Sequence, residues 1–100
     1  MIVYAVELEL DAALHDEYLA WLHGHVREML ELPGFEGAEV LARLEPPPPE
    51  DRCVLIVHYR LRDRAAWETY LADHASRMRK AGRARFGDRI RASRQVLEAG

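Results

Sequence analysis

The stretch Ile2–Leu10, IVYAVELEL, repeats with a period of two: Ile2, Tyr4, Val6, Leu8 and Leu10 share one side, and Val3, Ala5, Glu7 and Glu9 share the other. Successive side chains of a strand point to opposite faces, so this pattern predicts a strand with one wholly apolar face and one mixed face. The period then changes. Leu14, Tyr18, Trp21, Leu22, Met29 and Leu32 recur at three- and four-residue spacing, which predicts an amphipathic helix N-capped by Asp11 and reaching about Glu31. Pro33-Gly34 cannot continue that helix and turns the chain. A second strand is expected from Phe35 to about Leu44, with Ala38, Val40, Ala42 and Leu44 alternating against charged neighbours.

Four prolines, Pro46 to Pro49, fit neither a helix nor a central strand and predict an exposed loop. Cys53–Leu61 reads as the strongest strand, apolar on both faces at its start. Asp63 is placed to cap a second helix carrying Trp67, Tyr70, Leu71, Ala75 and Met78 on one stripe. Gly82 is expected to bend or break that helix, and Phe86-Gly87-Asp88 to end it. A last strand, from about Arg89 to Leu97, alternates Ile90, Ala92 and Val96 with polar residues. The order strand–helix–strand–strand–helix–strand is the split βαβ pattern of a ferredoxin-like α+β fold, here one domain over residues 1–100.

A hydrophobic share of 49% with 31% charged residues is globular composition. No apolar run approaches the ~20 residues needed to cross a bilayer. The opening MIVYAVELEL lacks the basic start and small-residue cleavage site of a signal peptide. A single cysteine, Cys53, cannot form an intrachain disulfide, and the expected address is the cytoplasm. Charge is unevenly distributed. Residues 1–51 carry twelve acids against two bases (−10), and residues 52–100 carry twelve bases against five acids (+7). Eight of those bases fall between Arg77 and Arg94. The expectation is a solvated basic face balanced by the acidic half, without a nucleic-acid partner, because a net charge of −3 opposes nonspecific phosphate binding.

Two helices cover only one face of a four-stranded sheet. If Cys53, Leu55, Val57, Tyr59 and Leu61 face the helices, then Val54, Ile56, His58 and Arg60 face away, beside Val3, Ala5, Glu7 and Glu9. An apolar patch of Val3, Val54 and Ile56 predicts a homodimer through this face, giving a dimeric α/β barrel.

The aliphatic-Tyr strand Ile2–Tyr4, the helix with Trp21 and His25, the Gly34-Phe35 turn and the closing Arg85–Arg89 segment, RFGDR, carry a resemblance. Together they resemble an uncharacterised family of small bacterial proteins within the dimeric α/β-barrel group, which includes antibiotic-biosynthesis monooxygenase-like proteins. That resemblance implies a ferredoxin-like dimer and assigns no catalytic residue.

The histidines are badly spaced for a metal. His23 and His25 point about 200° apart on a helix, and no metal or cofactor is expected. His25 lies on the apolar stripe one turn after Trp21, so the rings can touch. It reads either as a core imidazole bonded to a carbonyl or carboxylate, or as an acid/base group in a pocket. His58, near Glu7 and Arg60, is a second candidate, and His74 a third with a core role preferred. Cys53 reads as an inert thiol. The candidate site is therefore Trp21, His25 and His58, with Tyr4 and Tyr59 nearby, holding a small organic molecule. Two alternatives stand beside it: a non-catalytic dimeric structural or regulatory module, and a cofactor-independent monooxygenase-like enzyme using His25 or His58.

Overall fold

The computed structural model describes residues 1–100 and carries seven regular elements. They are β1 (Ile2–Asp11), α1 (His15–Leu30), β2 (Phe35–Ala42), β3 (Arg52–Leu61), α2 (Arg64–Asp73), α3 (Ala75–Phe86) and β4 (Ile90–Glu98). The strands form one antiparallel sheet in the order β2-β3-β1-β4, with the helices on one face: the ferredoxin-like α+β fold.

The two-residue period of β1 sets the layers. Its burial alternates without a break from Ile2 to Leu10. Across it, Tyr4 pairs with Tyr59, Val6 with Val57 and Leu8 with Leu55, so the apolar members of β1 and β3 share the helix-facing side. The core comprises these residues together with Tyr18, Leu22, Val26 and Met29 of α1, Ala66 and Tyr70 of α2, and Ala75, Met78 and Phe86 of α3. All twenty buried residues are apolar or aromatic, and no charged side chain is fully buried. Burying one such side chain contributes about 1.5–3 kcal/mol.

Several boundaries differ from the sequence expectation. Asp11 does not cap α1. It ends β1, its carboxylate accepts from Arg52 at 2.8 Å, and a short 3-10 turn (Ala12–Leu14) leads into the helix. β2 stops at Ala42, so Leu44 lies outside the sheet, 79% exposed. Asp63 does cap its helix, accepting from the Ala66 amide at 2.9 Å. The long second helix is interrupted at His74, not at Gly82. His74 leaves helical geometry (φ −131°, ψ −28°) while its amide still bonds Tyr70 and its carbonyl accepts from Met78. Gly82 lies within α3, and its missing side chain leaves room for the Trp21 ring, which an added Cβ would approach to 3.3 Å.

The reverse face differs too. Val54 is only 2% exposed within the single chain, so it belongs to no open patch. At this end of the sheet the long side chains of Arg43 and Arg52 are engaged with Glu7, Glu9 and Asp11 at 2.8–3.2 Å. Val3 and Ile56 are half-buried, while Leu41 (41% exposed) and Leu97 (45%) share their face through the pairs Leu41–Ile56 and Val3–Leu97.

Gly34 makes the turn from α1 into β2 possible. Its φ is +83°, a region that disfavours any side chain, and a Cβ would collide with the Cβ of Ala66 at the start of α2. Its carbonyl also accepts from the Arg62 amide at 2.9 Å. Gly34→Ala combines left-handed strain with overpacking, an expected loss of about 2–4 kcal/mol. Thermal melting should show a fall of about 10 °C or more; an unchanged melting temperature would refute this account of the turn.

Candidate functional site

A cavity of about 100 Å³ lies between the helix-facing side of the sheet, α1 and α3, and is partly open to solvent. The alternation of β1 and β3 presents Tyr4, Val6, Val57 and Tyr59 as its floor. Tyr18, Trp21, Leu22, His25 and Met29 line it from α1 because they lie within one stripe at three- and four-residue spacing. Met78, Arg79, Gly82 and Arg83 close it from α3, and Ile90, Ala92 and Arg94 from β4.

The rings interlock. Trp21 stacks on His25 with centroids 4.7 Å apart and planes 15° off parallel, the contact their one-turn spacing predicts. Phe86 meets Trp21 edge-on at 5.6 Å and Tyr18 at 5.0 Å, which ties α1 to the end of α3. Tyr4 is surrounded by Tyr59, Tyr70 and Trp67 at 4.8–5.7 Å. Burial pushes the phenol of Tyr18 up to about 12, with Arg94 opposing, and raises those of Tyr59 and Tyr70 further. These phenols therefore remain protonated at neutral pH.

His25 is half-buried, and burial lowers its pKa below the ordinary histidine value, with the Glu28 carboxylate opposing. Its imidazole is thus neutral at pH 7. Neither of its nitrogens is bonded to a carbonyl or carboxylate of the chain. A neutral ring with an open nitrogen at a cavity wall can accept a proton or a hydrogen bond.

Arginines are the part of this site that the sequence reading missed. Arg79 and Arg94 both donate to the Tyr4 hydroxyl, at 3.3 and 3.1 Å, and Arg83 stands one turn after Arg79. No Asp or Glu lines the cavity, and none of the three arginines forms a salt bridge. The basic run from Arg77 to Arg94 is therefore not simply a solvated face, since three of its eight members turn toward the cavity. A signal was present: Arg94 occupies the apolar phase of β4, between Ala92 and Val96.

Of the five expected site residues, Tyr4, Trp21, His25 and Tyr59 line this cavity together. His58 does not. It follows Val57 and precedes Tyr59 on β3, so it faces the reverse side, opposite Ala5 and Glu39. The Glu7 carboxylate near it is engaged by Arg43 at 3.2 Å. His74 accepts from Arg77 at 3.2 Å at the interruption between α2 and α3, away from the cavity. Burial raises the Cys53 thiol, which reduces its reactivity. No three His, Cys, Asp or Glu side chains converge in metal-binding geometry. No helix is long and apolar enough to cross a membrane.

Similar folds recur among solved structures. A protein from Deinococcus radiodurans assigned as an antibiotic biosynthesis monooxygenase superimposes with a TM-score of 0.72 at 16% identity, covering 100% of this chain and 93% of that one. A variant of SnoaB, a cofactor-independent oxygenase from Streptomyces nogalater, gives 0.67 at 16% identity over 98% and 92%. A de novo designed protein, Foldit4, gives 0.66 at 11% identity over 99% and 98%. Identities this low establish a shared fold and nothing more; one architecture hosts many activities. A search of curated proteins found no match. The family described as "Domain of unknown function (DUF4286)" matches residues 1–99, nearly the whole chain, and the protein belongs to that family.

Proposed function

We propose that the protein is a homodimer that binds a small organic molecule in the cavity between the sheet, α1 and α3. The observation that carries this reading is the lining itself: stacked aromatic rings, a neutral His25 without an internal hydrogen bond, and three arginines with no acidic partner. A tight core would not retain about 100 Å³ of space beside such groups. That volume is somewhat below the ~150 Å³ engineered cavity that takes up benzene, which favours a ligand with a single small ring whose substituents reach the open side. The open nitrogen of His25 supports a second reading, in which that imidazole removes a proton from a bound substrate in an oxygenase-like reaction without a cofactor.

The homodimer rests on the reverse face of the sheet. Val3, Ile56, Leu41 and Leu97 form its apolar surface, with Val54 as buried support and not as a contact. A second copy placed about a two-fold axis would cover both patches at once. Light scattering should give twice the chain mass of 11.5 kDa, and Ile56→Glu should reduce it to the monomer value. A wild-type mass of 11.5 kDa at every concentration would end the dimer reading.

Trp67 lies outside the cavity, so Trp67→Phe leaves Trp21 as the only tryptophan and a reporter at the cavity wall. Aromatic ligands should quench its fluorescence saturably, and His25→Ala should weaken their binding about tenfold while costing about 1 kcal/mol of stability through the lost stack. Linear quenching by every compound, with no saturation, would remove the binding reading. A drop of 15 °C or more in the melting temperature of His25→Ala would return His25 to the core.

The sign of the His25 effect with pH is also defined. Its folded-state pKa lies below its unfolded value, so below the unfolded value the unfolded chain holds more protons and stability declines as pH falls. Between pH 7.5 and 5.5 the wild-type melting temperature should therefore fall further than that of His25→Gln. Parallel declines would show that His25 is not desolvated.

A further inference from the structure

The electrostatic composition of the cavity narrows the ligand class beyond binding itself. Arg79 and Arg94 approach one neutral acceptor, the Tyr4 hydroxyl, from two different elements. The Nε of Arg79 is buried with no hydrogen-bond partner, the only such side-chain atom in the chain. Arg83 adds a third guanidinium to the lining, and that lining contains no carboxylate. Elsewhere in this chain some arginines pair with acids, among them Arg43 with Glu7, Arg52 with Glu9 and Asp11, and Arg64 with Glu98. Arg79 and Arg94 instead converge on a phenol, which is a weak substitute for an anion. The opposite wall is apolar and aromatic, Trp21, Leu22 and Met29, and offers a ring face without any charge.

We propose that the molecule held in this cavity is a small aromatic carboxylate, its ring against Trp21 and Tyr59 and its carboxylate on Arg79 and Arg94 beside the Tyr4 hydroxyl. A planar guanidinium matches a carboxylate with two parallel hydrogen bonds, and Nε of Arg79 supplies a donor that nothing else in the fold uses. Arg83 and Arg94 are exposed at the mouth, where they attract the anion before it is desolvated. Arg79 is half-buried and holds it further in. This inference rests on the binding reading above and specifies the chemistry of the same site.

Calorimetric titration of the full-length protein at pH 7 with benzoate and naphthalene-2-carboxylate, each beside its neutral amide, tests it. At least one acid should bind at least about tenfold more tightly than its amide, since hydrogen bonds to charged groups are roughly twice as strong as neutral ones. Arg79→Gln and Arg94→Gln should each erase most of that preference. Arg77→Gln, which removes the arginine bonded to His74 outside the cavity, should retain it. Equal binding of acid and amide, with saturable quenching of Trp21 by both, would overturn the anion inference and leave the binding site standing. Inorganic phosphate binding as tightly as the acids would overturn the aromatic part. Absence of binding by all four ring compounds would overturn both the inference and the site.

Discussion

Pairing of β1 on both of its edges is the constraint on which the rest depends. Its ten residues are in register with β3 on one side, and nine of them with β4 on the other. A slip of one residue against either neighbour would send Tyr4, Val6 and Leu8 to the reverse face and bring Glu7 and Glu9 into the core. The cost of burying two unpaired carboxylates makes that alternative inaccessible. The register in turn brings Tyr4 opposite Tyr59 and next to Arg94, so the floor and one edge of the cavity follow from the same pairing that builds the core.

Charge is arranged about this sheet in two different ways. On the reverse face Glu7, Glu9 and Asp11 of β1 meet Arg52 of β3 and Arg43, just beyond the end of β2, so these acids of the first half of the chain are neutralised from across the sheet. On the helix-facing side the basic run of the second half has no such answer at the cavity. The sequence asymmetry between the two halves thus becomes an asymmetry between the two sides of one sheet.

How much was legible in the sequence follows from how local each signal is. Periods of two and 3.6 depend on neighbours a few residues apart, so every strand, the Asp63 cap and the Trp21–His25 stack could be read directly. The interruption at His74 could not, because no glycine or proline marks it and Gly82, the visible breaker, is needed as clearance beside Trp21. Which face of a strand is covered depends on side chains from other strands, so alternation along β3 alone marks Val54 as open and gives no weight to Leu41 or Leu97. The same reasoning explains the site. Tyr4, Trp21, His25 and Tyr59 carry aromatic signals on apolar stripes, whereas Arg79, Arg83 and Arg94 look like surface charges until the tertiary fold brings them to the cavity, two of them onto Tyr4.

β4 supplies Arg94 and one wall of the cavity, yet it is an edge strand paired only to β1, and beyond Ile90 each of its side chains is exposed. Detaching it would uncover little apolar surface, whereas detaching β3 would expose the floor of the core. Local opening in a folded protein follows the path of least buried area lost, so amide exchange should run fastest along β4 and slowest along β1 and β3. The strand that brings Arg94 to the cavity is therefore also the part of the sheet expected to open most easily. For the ligand proposed above, opening of this strand would add a second way out beside the mouth that the cavity already has.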